Sequence, residues 1–179
     1  MTLAGSAKLK MLVEIALGEV GVHEEGGDNR GAKVEKYQSV IGKAQGEPWC
    51  TSFIQWCLRE ADARFKTISK DPASDHLLAR TESSQELVDK SPAICQILKP
   101  EPGCIVVWTK FIDNKPTRLG HAGIVKEIID RDFMLVVEGN TSSSSSALIR
   151  NGDCVALKKR RIKSNTGELR TRAYLLPWA

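Results

Sequence analysis

The chain has 179 residues, a formal charge of +4, and 41% hydrophobic against 27% charged residues. Those values fit one globular domain whose core is large enough to need neither metal nor disulfide. They exclude wholesale disorder and collagen-like repeats, and no run approaches the ~18 uninterrupted apolar residues of a membrane-crossing helix. The basic excess is too small and too scattered for a nucleic-acid stripe, although it suits weak attraction to a polyanionic surface.

Ala7 to Val20 places Leu9, Leu12, Val13, Ile15, Ala16 and Val20 at helical spacing, and Gly21 is a natural stop. No apolar core precedes a small-residue cleavage site near the start, so no signal peptide is expected and synthesis in a cytoplasm is. His23 to Gly31 reads as a polar, glycine-rich loop, and Ala32 to Ile41 as a second helix. After a loop over Gly42 to Glu47, Pro48 sits where a helix begins, since its missing N–H is no loss there. Trp49 to Ala61 then reads as a buried amphipathic helix.

Asp71-Pro72 looks like a cap and first helical residue, which predicts a short helix over Ala73 to Arg80; Ser83 to Lys90 predicts another helical turn. Lys99 to Gly103 is a turn, and beyond it the period changes. Cys104 to Trp108, Ala122 to Ile129, Phe133 to Glu138, Val155 to Ile162 and Arg172 to Leu176 read as strands. Thr141 to Ser146 reads as a serine-rich loop. Helices followed by an antiparallel set of strands predict an α+β fold.

Five cysteines, Cys50, Cys57, Cys95, Cys104 and Cys154, show no C-x-x-C pair, and an odd count without a signal peptide argues against a disulfide framework. Cys50 falls in the first turn of its predicted helix, where the helix dipole and free N–H groups favour thiolate. By itself the position fits a small buried hydrophobe equally well. Of the three histidines, His121 opens a predicted strand between glycines that leave room for a substrate, whereas His76 and His23 fall in polar segments. Glu138 and Asn140, two apart at a strand end, share a face. Either has the chemistry to bond the second ring nitrogen of His121 and aim the ring at Cys50.

The order cysteine, histidine, acid or amide is that of papain-like thiol enzymes. At these residues the chain resembles the CHAP family, the cysteine, histidine-dependent amidohydrolases/peptidases. The resemblance runs through Ala16 to Tyr37, Gly46 to Cys57 (GEPWCTSFIQWC), Pro102 to Trp108 (PGCIVVW), Gly120 to Val125 (GHAGIV) and Val137 to Thr141 (VEGNT). It implies a papain-like domain spanning residues 1–179, with N-terminal helices packed on a mostly antiparallel five- to six-stranded sheet. It implies cleavage of a peptidoglycan amide bond with Cys50 as nucleophile, His121 as base, Glu138 as the group orienting it and Asn140 in support. Trp49 and Gly120 are assigned to substrate contact. Cys104 departs from the family, which commonly has Asp there.

No cofactor and no metal are expected. Glu24, Glu25, Asp28 and Asn29 supply oxygens but lack the spacing of an EF-hand loop, and the scattered histidines lack a ligand-spaced pair. The basic run Lys158 to Lys163 reads as a strand with a solvated charged face. The expected partner of this monomer is bacterial peptidoglycan, not nucleic acid. Delivery is expected through a holin, as for a phage endolysin, or by a secretion machine, as for a lytic effector with an immunity protein. Competing readings are a silent wall-binding module and a thiol protease or acyltransferase acting on another amide.

Overall fold

The computed structural model describes residues 3–42, 44–69, 75–142 and 152–179. Its helices are α1 (Leu3–Gly18), α2 (Ala32–Ser39), α3 (Cys50–Ser69) and α4 (Ser84–Lys90). Its strands are β1 (Gln96–Ile97), β2 (Ile105–Ile112), β3 (Lys115–Ile128), β4 (Phe133–Thr141), β5 (Cys154–Arg161) and β6 (Leu169–Leu175). The strands form one sheet in the order β1-β6-β2-β3-β4-β5, and every pairing is antiparallel. The expected α+β architecture, helices first and sheet after, is therefore present.

The helices cover the sheet through the residues their periodicity marks. Leu9, Leu12, Ile15 and Ala16 of α1, and Phe53, Ile54, Cys57, Leu58 and Ala61 of α3, are buried in one core with Val106, Ile124 and Val137 of the sheet. Tyr37 of α2 lies among Trp49, Phe53 and Trp56, with ring centroids 5.7, 5.4 and 5.1 Å away. Gly103 fixes how α1 meets the start of β2. Its φ is +87°, and an added Cβ would lie 2.6 Å from the Cβ of Leu9.

Three elements differ from their sequence expectations. Of the helix expected over Ala73 to Arg80, residues 75–80 are not helical, while residues 73 and 74 and the expected cap at 71 and 72 lie outside the described residues. Tertiary partners take the bonds a helix would use: Leu77 N–H donates to Pro177 O at 2.8 Å, Ala79 N–H to Ser91 Oγ at 2.9 Å, and His76 N–H to Asp62 Oδ2 at 3.2 Å. The helix expected over Trp49 to Ala61 extends two turns further, to Ser69. The strand bearing His121 begins at Lys115, because Asp113 and Asn114 both adopt positive φ and close a two-residue hairpin between Ile112 and Lys115. His121 therefore lies within a long strand instead of opening one. Of the serine-rich loop, residues 143–146 lie outside the described residues, and Thr141 ends β4.

Replacing Gly103 with Ala is expected to lower unfolding free energy by roughly 2–4 kcal/mol, a left-handed cost of about 1 added to an overpacking cost of about 1–3. Urea denaturation should show a lower midpoint at unchanged slope.

Candidate active site

Cys50 is the first residue of α3, and Phe53 N–H is the first to close on Trp49 O, at 2.9 Å. The N–H groups of Cys50, Thr51 and Ser52 fall in this first turn, at the positive end of the helix. Glycine sets where this end sits. A Cβ on Gly139 would lie 2.7 Å from Phe53 Cβ and 2.8 Å from Trp49 Cζ3, so its absence lets the start of α3 press against the end of β4.

His121 on β3 pairs across the sheet with Trp108 on β2, and the two rings stack with centroids 5.9 Å apart and planes 18° from parallel. Two residues on, Gly123 shares the face of His121. A Cβ there would lie 2.5 Å from Val136 Cγ1 and 2.9 Å from Glu138 Cγ. The vacancy is the lane through which Glu138, from β4, reaches across β3. Its Oε2 lies 3.0 Å from His121 Nε2, which leaves Nδ1 for the thiol. The Cys50 thiol and the His121 ring lie close enough that each acts on the other's charge state. The structure therefore brings Cys50, His121 and Glu138 into one line. Cys50 stays partly exposed, while Glu138 has no exposed surface.

A carboxylate with no water around it is penalised by several kcal/mol unless donors surround it. Arg160 supplies them. Its Nε donates to Glu138 Oε1 at 2.6 Å and its Nη2 to Oε2 at 2.6 Å; Thr141 Oγ1 adds a bond to Oε2 at 3.2 Å. The guanidinium also lies 5.7 Å from the Trp108 ring centroid. Burial pushes the Glu138 carboxyl up, but Arg160 and then His121 overcome it and hold the group at about 2. Burial likewise opposes charge on the other two groups. For Cys50, the His121 bond and charge, with Thr51, outweigh it and pull the thiol below its ordinary value. For His121, Cys50 and Glu138 outweigh it and lift the imidazole well above 6.5. The pair thus favours thiolate and imidazolium, the charge state of an activated sulfur nucleophile.

Other expected site residues are placed differently. Trp49 is fully buried, its indole N–H bonded to Glu24 Oε1 at 2.7 Å, so it packs the core and does not face a substrate. Gly120 makes room for protein: an added Cβ would lie 2.1 Å from Gln85 Nε2 and 2.2 Å from Trp108 O. Asn140 is buried with φ 55° in the irregular end of β4; its Oδ1 has no partner among the described residues, and the contact to His121 comes from Glu138. Both Glu24 oxygens are engaged, one by Trp49 and the other by Asn29 N–H at 2.7 Å. Cys57, Cys95, Cys104 and Cys154 are buried free thiols.

Arg160 is the residue that sequence reasoning missed. The run Lys158 to Lys163 does enter a strand, but Arg160 is not part of a solvated face; its side chain is 21% exposed and committed to Glu138. Register is the signal that finds it. Met134 pairs with Arg160 and Glu138 with Ala156, which puts Arg160 and Glu138 on one face.

Because the folded Glu138 carboxyl is depressed from 4.5 to about 2, its stabilising contribution is present above 4.5 and lost as pH falls toward 2. Arg160→Met is therefore expected to lower stability at neutral pH by about 3–5 kcal/mol, with the gap from wild type shrinking near pH 2. Urea titrations at several pH values check this; a gap independent of pH would separate Arg160 from the Glu138 charge.

Comparison with known proteins bears on what such a site belongs to. No curated protein and no solved structure matches the chain. The family model described as CHAP domain matches residues 42–140, an interval that contains Cys50, His121, Glu138, all of β3 and all of β4 except Thr141. That match covers more than half of the chain, and the protein is a member of the CHAP family, whose amidase and peptidase hydrolases act on peptidoglycan.

Proposed function

We propose that the protein cleaves an amide bond of the peptidoglycan stem peptide, with Cys50 as nucleophile, His121 as acid–base and Glu138 as the group that orients it. The observation that carries this reading is the line of thiol, imidazole and buried carboxylate, with Cys50 at a helix N-terminus and partly exposed as a residue. The Cys50 thiolate attacks the carbonyl carbon. The backbone N–H of Cys50, in the first turn of α3, is suited to receive the developing oxyanion. Imidazolium gives its proton from Nδ1 to the leaving amine, and water deprotonated by the same ring releases the acyl group from sulfur. Glu138 stays ionised throughout, fixing the ring through Nε2.

The proposal takes residues 1–179 as a single catalytic unit. The family match ends at residue 140, yet β5 and β6 belong to the same sheet and Arg160 on β5 holds Glu138. A free lysin acting at the wall, from a phage or a lytic effector system, needs no more than such a unit.

Cys50→Ala is expected to fold and to leave purified sacculi intact, and mass spectrometry of fragments released by the wild type should show new termini at a stem-peptide amide. Sacculus clearing by Cys50→Ala would refute the nucleophile assignment. The rate should also depend on pH in a predictable way. Activity falls on the acid side as the Cys50 thiolate gains a proton, below the ordinary thiol value, and on the alkaline side as His121 loses one, above 6.5. The two limbs belong to the coupled pair. Glu138→Gln removes interactions that raise the imidazole. Its alkaline limb should move to lower pH, and its rate should drop less than the roughly 10²–10⁴-fold expected of His121→Ala.

A further inference from the structure

Away from the thiol–imidazole line, His23, Asp153 and Cys154 bring one ligand atom each within 4.8 Å of the others. We infer that these three side chains form a binding site for a zinc-type divalent cation, on the edge of the sheet beside β5. Nothing in the mechanism above uses them. Some 130 positions of sequence separate His23 from the other two, which is why ligand spacing along the chain gives no hint of the site.

The backbone builds this cluster. His23 pairs with Cys154 in an antiparallel bridge. Three rungs flank it: Gly21 N–H to Val155 O at 3.0 Å, Val155 N–H to Val22 O at 2.8 Å and Glu24 N–H to Asp153 O at 2.7 Å. The segment after α1 is thereby laced to the start of β5, and the side chains of His23 and Cys154 meet as cross-strand neighbours. Cys154 is 1% exposed and forms the floor, whereas His23 and Asp153 are exposed and form the rim.

Donor chemistry selects the ion. Tetrahedral zinc holds sulfur, nitrogen and oxygen at about 2.0–2.3 Å, which places ligand atoms roughly 3.3–3.8 Å apart. Donors already within 4.8 Å close that difference by rotamer adjustment of the two exposed side chains. One thiolate, one imidazole and one carboxylate suit a borderline cation; calcium and magnesium require more oxygens. On binding, the Cys154 S–H bond breaks, the proton leaves to solvent and the sulfur's electron pair goes to the metal; no redox change is involved. The S–H now donates to Thr141 O at 3.1 Å. Thr141 Oγ1 in turn bonds Glu138, so the cation would brace the strand that carries the orienting carboxylate. The fourth position faces solvent and takes water.

The test uses the full chain, reduced and metal-free, as Cys50→Ala, which removes the other reactive thiol that pairs with a histidine. Titration with Co²⁺ should give a thiolate-to-metal charge-transfer band that saturates at one equivalent and is bleached by Zn²⁺. Adding Cys154→Ser should abolish the band. His23→Ala, at an exposed position that does not threaten folding, should weaken binding at least about tenfold, the loss that even outer-shell changes bring. Zn²⁺ should also raise the melting temperature of Cys50→Ala and not that of the His23→Ala double variant. Absence of the band in Cys50→Ala, its persistence without Cys154, or unchanged affinity without His23 would each overturn the site. None of these readouts depends on sacculus cleavage, so failure here and failure of the proposed hydrolase stay distinguishable.

Discussion

The clasp of Arg160 on Glu138 is the interaction on which the site depends. A carboxylate with no exposed surface is a liability unless its lone pairs are filled, and here two come from one guanidinium, one from Thr141 and one from His121. Each hydrogen bond to a charged group contributes about 1.5–3 kcal/mol, enough together to offset a desolvation penalty of several kcal/mol. Once Glu138 is ionised and immobile, the His121 ring has one orientation and one nitrogen to spare. The stacked Trp108 ring closes the remaining degree of freedom.

That clasp requires backbones at unusually close range, and glycines supply it. Gly123 opens the lane between β3 and β4, Gly139 admits the N-terminal turn of α3, and Gly120 admits Gln85, whose amide bonds Trp108 O at 2.9 Å. Side chains around the site are thus positioned by what is missing at three points. The thiol and imidazole come from different layers, helix and sheet, and meet because those layers touch at Gly139.

The sequence made part of this legible. Cys50 and His121 carry local signals, a helix start and a glycine-flanked strand; Cys50 does open its helix, whereas His121 lies inside its strand instead of opening it. The choice between Glu138 and Asn140 stayed open at the level of residues, because alternation alone gives both the same face. The irregular end of β4, with Asn140 at positive φ, breaks that alternation. Trp49 misled through adjacency: being next to Cys50 says nothing of its direction, and one step around a helix end turned it into the core. Arg160 was hidden because a basic run ordinarily means solvent, and only inter-strand register turns it inward. The helix expected near Ala73 to Arg80 lost to tertiary bonds that no local propensity reports.

The position of β6 has a consequence for biosynthesis. This strand, Leu169–Leu175, lies between β1 and β2, so an interior place in the sheet is filled by the strand that comes after all the others in chain order. Until it arrives, one side of β2 is an unpaired edge, the kind of surface that recruits other chains. Trp108 on β2 would meanwhile lack its neighbour Thr171. Assembly of the site thereby waits on β6, and a nascent or shortened chain without it carries the cysteine and the histidine with no completed scaffold to align them.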